Sequence, residues 1–210
     1  MIPAAEALER LREGNRRFVA EVRKEKASDR KRRHEVAAAQ EPFAIILGCS
    51  DSRVPAEIVF DQGLGDLFVI RVAGNIVAPS QVGSVEFAAE RYHTRLVVVL
   101  GHSQCGAILA TLEELSRPTA DQSRNLRSIV DRIRPAVEEL VTRDHPREYP
   151  GGHDALVHQA VRANIRASAN QLRHGSEMLE QAIQKNGLVV VGAEYSLETG
   201  VVDFFDGVPG

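Results

Sequence analysis

"FAIILGCSDSR", residues 43–53, and "RLVVVLGHSQCG", residues 95–106, share one design. Each is an apolar run, then a glycine, then residues that carry chemistry. A run with no polar alternation reads as a strand buried on both faces, as in a parallel sheet. Two more runs have this character, "DLFVIRVAG" at 66–74 and "GLVVVGAEY" at 187–195. Helical patterns separate them. "PAEIVFDQG" places Pro55 in a first turn and Gly63 at the end. "SQVGSVEFAAERYH" (80–93) follows, and the stretch from Cys105 to Leu188 reads as helical, with a break around 143–154. The last strand turns through "LETG" into "VVDFF", a hairpin signal. The alternation predicts an α/β fold with a mainly parallel central sheet. We expect about four parallel strands, a C-terminal antiparallel edge strand, flanking helices and an N-terminal helical arm.

The bulk properties narrow the function. The chain has 210 residues, enough for one domain with a sizeable core. Its hydrophobic fraction is 43% and its charged fraction 26%, an ordinary soluble balance. A formal net charge of -3 argues against a general attraction to nucleic acid or anionic membrane. No apolar run approaches the ~20 residues of a membrane span. The start, "MIPAAEALERLREGNRRF", is amphipathic and charged with no secretory core, so the expected location is the cytoplasm. "VRKEKASDRKRRHE" (22–35) is charge-dense but lacks interleaved aromatics, and is read as a solvated helix or arm.

Two cysteines cannot form a disulfide framework; they are buried, metal-bound or catalytic. In an open parallel sheet, ligands gather at the carboxyl ends of strands. Cys49, His102 and Cys105 can converge there from two neighbouring strands. Two thiolates and an imidazole suit zinc, and three protein ligands leave a fourth position open, the mark of a catalytic site. The competing reading makes both cysteines small buried hydrophobes and His102 a hydrogen-bonded loop residue. Both cysteines follow matching strand–glycine units, which favours the metal. A redox pair is the weakest reading, because the two are not in a C-x-x-C pair. If the chain leaves the first strand extended, Cys49, Asp51 and Arg53 share one side. Arg53 can then grip Asp51 through two parallel hydrogen bonds and keep it ionised. A plain loop salt bridge is the alternative, and Asp51 as a fourth metal ligand is another.

At these residues the sequence resembles the β-class carbonic anhydrases, and its plant-like, open-site branch in particular. "CSDSR" at 49–53 and "GHSQCG" at 101–106 are similar to that family's paired zinc signatures. "ALERLREGNRRFVA", "FVIRVAGNIV", "AVRANIR" and "VVGAEYSLETGVVDFF" extend the likeness over nearly the whole chain, least well around 116–152. The resemblance implies one zinc per chain on Cys49, His102 and Cys105, with Asp51 and Arg53 as a catalytic dyad. It implies reversible hydration of carbon dioxide to bicarbonate and a proton, with zinc making hydroxide available near neutral pH. Gln40 matches a glutamine that hydrogen-bonds substrate, and Phe68 an aromatic lining the pocket. Phe87 falls where many members have tyrosine, and Gly106 is placed with the substrate pocket. It further implies one domain over 1–210, with an arm at 1–40 that wraps a partner and a zinc-binding core at 41–210. Dimers would line each site from both protomers, and tetramers occur. Where one branch has a tryptophan in a regulatory bicarbonate site this chain has Ile46, although Arg71 matches its arginine; we therefore expect the open form. For the proton acceptor, surface residues are the default reading, with Tyr92 and His93 as candidates. The rival activities are hydrolysis of carbonyl sulfide or carbon disulfide on the same scaffold, and a zinc-binding scaffold without catalysis.

Overall fold

A computed structural model describes residues 2–22, 30–117, 123–143 and 151–209. The four expected parallel strands form where the apolar runs predicted. They are β1 (Ala44–Gly48), β2 (Leu67–Arg71), β3 (Leu96–His102) and β4 (Val189–Tyr195). The "VVDFF" segment supplies β5 (Val202–Asp206), antiparallel to β4 at the edge. The order across the sheet is β2-β1-β3-β4-β5. All residues of β1 and β3 are buried, which accounts for their unbroken apolar sequence.

Alternate residues of these strands feed two cores. One face carries Ile45, Leu47, Val97, Val99 and Val190. It packs beneath α4 (Pro79–Arg91), α5 (Gly106–Ser116), α6 (Arg124–Arg143), α7 (Gly152–His174) and α8 (Glu177–Asn186). The other face carries Ile46, Val98, Leu100 and Val191. It packs against α1 (Ala4–Val19) and the short α3 (Ala56–Val59). Helix α1 is amphipathic and buries Ala7, Leu8 and Leu11 there. Its Asn15 amide donates to the carbonyls of Val59 and Gly200 and accepts from the backbone N–H of Val202.

One segment differs from expectation. The helix expected from Pro55 to Gly63 is a single turn, α3, because the chain reverses at Asp61 with φ 46°. Residues 23–29, half of the charge-dense 22–35 segment, lie outside the described residues; its end forms α2 (Arg30–Val36), a helix that buries no residue, as expected of a solvated one. Of the break expected at 143–154, residues 144–150 lie outside the described residues. Among the described residues no helix is long and apolar enough to cross a membrane.

Helix α7 comes unusually close to the sheet. Its Ile165 sits over Gly101 of β3 and Gly192 of β4. A Cβ on Gly101 would lie 2.5 Å from Ile165 Cδ1, and one on Gly192 would lie 2.9 Å from Ile165 Cγ2. Any side chain at either position would lift the helix away.

Candidate metal centre

β1 connects leftward to β2, while β3 leads rightward to β4. The crevice between the carboxyl ends of β1 and β3 is therefore the switch point where ligands bind in open parallel sheets. Three potential ligands meet there. Cys49 directly follows β1, His102 closes β3 and Cys105 caps the N-terminus of α5. All three are buried, and their donor atoms lie within 4.8 Å of one another. His102 and Cys105 do not share a helical turn. Instead Gln104 takes φ 54° and folds the chain back between them.

Several features fit this cluster to a metal ion. The two sulfurs are 4.0 Å apart. Zn–S bonds of about 2.3 Å at a tetrahedral angle separate two sulfurs by about 3.8 Å. His102 Nδ1 is 2.9 Å from the Ser103 carbonyl, which can only accept, so the proton sits on Nδ1. That leaves a lone pair on Nε2, which is buried and, among the described residues, has no hydrogen-bond partner. A hydrogen bond on one ring nitrogen is how a metal-binding imidazole is oriented. The thiols point the same way. Cys49 is held below the usual thiol range, mainly by the hydrogen bond from Cys105. Cys105 is pushed up by that same partner and by burial. The pair sheds one proton readily and the second only against a cation.

The acid and base stand above the cluster. The chain does not stay extended here; Val54 N–H donates to the Asp51 carbonyl and closes a turn. The turn still pairs the two residues. Arg53 donates from Nε to Asp51 Oδ1 at 2.9 Å and from Nη2 to Oδ2 at 2.7 Å. Its backbone N–H adds a third bond to Oδ1 at 3.0 Å. The Arg53 guanidinium holds the Asp51 carboxyl well below the usual carboxylate range. Asp51 Oδ2 lies 3.9 Å from His102 Nε2. An ionised acceptor thus overlooks the metal position.

Arg71 has a role that sequence reasoning did not assign. It donates to the Cys49 carbonyl at 2.9 Å and to the Asp51 carbonyl at 2.6 Å. One guanidinium therefore fixes the backbone of a ligand and of the acid. The available signal was an arginine ending β2 in register with Gly48.

The expected substrate residues divide. Gly106 begins α5 beside Cys105, and a Cβ there would meet nothing within 4 Å. Gln40, Phe68 and Phe87 lie elsewhere. Phe68 pairs with Ile45, four residues before Cys49 and so ~13 Å down the strands. Its ring is 6.2 Å from Phe87 and 6.0 Å from Tyr92, centroid to centroid. Gln40 Nε2 donates to the Tyr92 hydroxyl at 2.9 Å. Within one chain these residues form a separate patch at the amino ends of the strands.

The chain matches the carbonic anhydrase family over residues 44–202. It is 38% identical to carbonic anhydrase 2 of Mycobacterium tuberculosis, over 90% of this chain and 87% of that one. The β-carbonic anhydrase CcaA superposes with a TM-score of 0.71 at 26% identity, covering 96% of this chain and 93% of that one. A tetrameric β-carbonic anhydrase of Sordaria macrospora shares the fold, with a TM-score of 0.68 at 22% identity, covering 83% of this chain and 89% of that one. The parallel sheet, the buried cysteine–histidine–cysteine cluster at its switch point and the family match agree: this chain belongs to the carbonic anhydrases, in their β class.

Proposed function

We propose that the chain catalyses reversible hydration of carbon dioxide to bicarbonate and a proton, using one zinc ion held by Cys49 Sγ, His102 Nε2 and Cys105 Sγ. The observation that carries this reading is the ionised Asp51, gripped by Arg53 and 3.9 Å from His102 Nε2, above a buried three-ligand cluster. Zinc in such a site supplies a Lewis acid that makes water nucleophilic near neutral pH. Arg53 keeps Asp51 free of a proton. Asp51 accepts a hydrogen bond from the attacking water and turns its lone pair toward the carbon. Arg71 holds the carbonyls of Cys49 and Asp51 leading into this turn, so that the acceptor stays in place through the cycle.

Both Asp51 oxygens are committed to Arg53, which supports the open form with the fourth position left for water. Among the described residues the aromatic patch is too far from the metal cluster to serve it within one chain. Phe87 is 51% exposed there. We therefore assign Gln40, Phe68 and Phe87 to the site of a second copy in a dimer. Residues 1–40 would form the arm of that pairing and 41–210 the core; α2, which buries nothing, supports the arm, while α1 is packed on its own chain's sheet. Pairs of dimers would give a tetramer. The cytoplasm is the proposed location, in keeping with two free, buried thiols.

The test is stopped-flow hydration at alkaline pH on protein of known zinc content, with carbonyl sulfide and carbon disulfide assayed beside it. Fast hydration with one zinc per chain supports the proposal. Bound zinc with turnover of only the sulfur substrates, or of none, refutes it.

A further inference from the structure

The turn after β2 takes no part in the reaction as described, yet it lies against a metal ligand. Gly74 donates its backbone N–H to Cys49 Sγ at 3.4 Å. The carbonyl of the same residue accepts from Asn164 Nδ2 at 2.8 Å. Asn164 lies in the middle of α7 and is 2% exposed. Asparagine is a poor helix former, and its amide is costly to bury without a partner. Its presence there calls for a partner that matters.

Gly74 is held on every side. It has φ 71° and ψ 18°, a left-handed conformation. A Cβ on it would lie 2.9 Å from Ile133 Cδ1 on α6 and 3.0 Å from Ala107 Cβ on α5. Only glycine fits, and glycine is the residue whose backbone rotates most freely. An N–H donated to a thiolate takes up part of its charge, but only while it stays aimed. The Asn164 bond fixes the other side of the same residue. The close approach of α7, set by Ile165 over Gly101 and Gly192, puts the amide within reach.

We propose that Asn164 is a positioning residue for the ligand Cys49. Through Gly74 it keeps a backbone N–H on the Cys49 sulfur, and so sets the charge and orientation that this ligand offers the metal. The inference rests on the metal reading above. Hydrogen-bond partners of metal ligands typically control metal affinity by about 10- to 100-fold.

The test uses cobalt(II) in place of zinc, because sulfur-to-cobalt charge transfer reports directly on the thiolates. Asn164→Leu keeps the approximate size and removes the donor. Ser168→Ala, one turn along α7 and also buried, is the control for general disturbance of the helix. The expected result is a shifted charge-transfer band and at least about 10-fold weaker cobalt binding in Asn164→Leu. Ser168→Ala should leave both unchanged. An unchanged band and affinity in Asn164→Leu, or equal changes in both variants, overturns the proposal. Failure of the unaltered protein to bind one cobalt per chain overturns the metal reading with it. A second measurement needs no variant. In cadmium-113 protein, scalar coupling from the metal through Cys49 Sγ to the Gly74 amide proton is expected, and its absence overturns the proposal.

Discussion

The two ends of the strands β1 and β3 are built in opposite ways. At the carboxyl ends, Cys49, His102 and Cys105 are sealed from solvent and braced by Ser103, Gly74 and Arg71. At the amino ends, Gln40, Phe68, Phe87 and Tyr92 touch one another on an open surface. The first end is complete within one chain. Among the described residues the second leaves Phe87 51% exposed, as a surface does when a second copy is to cover it. On the function proposed above, one sheet thus separates the half of the site that holds charge from the half assigned to the pocket.

This contrast can be broken most severely at the closed end. His102→Ala should abolish zinc binding and hydration together, read by metal content and stopped-flow rate, while leaving self-association intact. Retained zinc would mean that the cluster is not the metal site. Asp51→Asn should keep the zinc and slow hydration by about 100-fold, within the range of a positioned acid–base group. At the open end, Phe87→Asp should keep the zinc in each chain and weaken pairing by at least about 10-fold, read by analytical ultracentrifugation. Unchanged association with unchanged activity would detach the patch from any shared site. The pH profile tests the closed end more gently. Two thiolates donate more charge than two imidazoles and leave water less acidic, so activity should climb from about pH 7 to about pH 9. A flat profile would remove that argument.

The smallest effect concerns the acid itself. Asp51 has a lowered pKa because Arg53 binds its charged form. A lowered folded-state value gives a contribution that is present above the ordinary carboxylate pKa and lost as pH falls through the depressed one. No Asp51 titration step should therefore appear in the folded protein near pH ~4, the ordinary aspartate value. Arg53→Ala should bring it back there, read by carboxyl NMR titration.

Much of the closed end was legible because its signals are local. Unbroken apolar runs ending in glycine marked β1 and β3, and Cys49, His102 and Cys105 just beyond them marked the cluster that could hold a metal. Geometry that depends on backbone turns was not legible. The extended-chain argument paired Asp51 with Arg53 correctly, but the pairing is made by a turn closed at Val54. The reversal between His102 and Cys105 hangs on a left-handed Gln104, a residue with no special tendency toward that conformation. The separation of Phe68 from Cys49 is a matter of strand register, which a motif list does not carry. The Arg71 clamp depends on β1 and β2 being neighbours, a fact of topology rather than of spacing.

Asn15 has a consequence for how the chain is made. Its amide ties the first helix to Val59, and also to Gly200 and Val202, which lie 185 and 187 residues further along. During synthesis α1 is made well before residues 200–202, so these two of its ties form only after β4 has been made. The four parallel strands can align while that helix waits, and the last hairpin closes over it. Such long-range closure slows folding. A chain stopped short of residue 200 keeps the tie from Asn15 to Val59 but lacks the clasp to Gly200 and Val202.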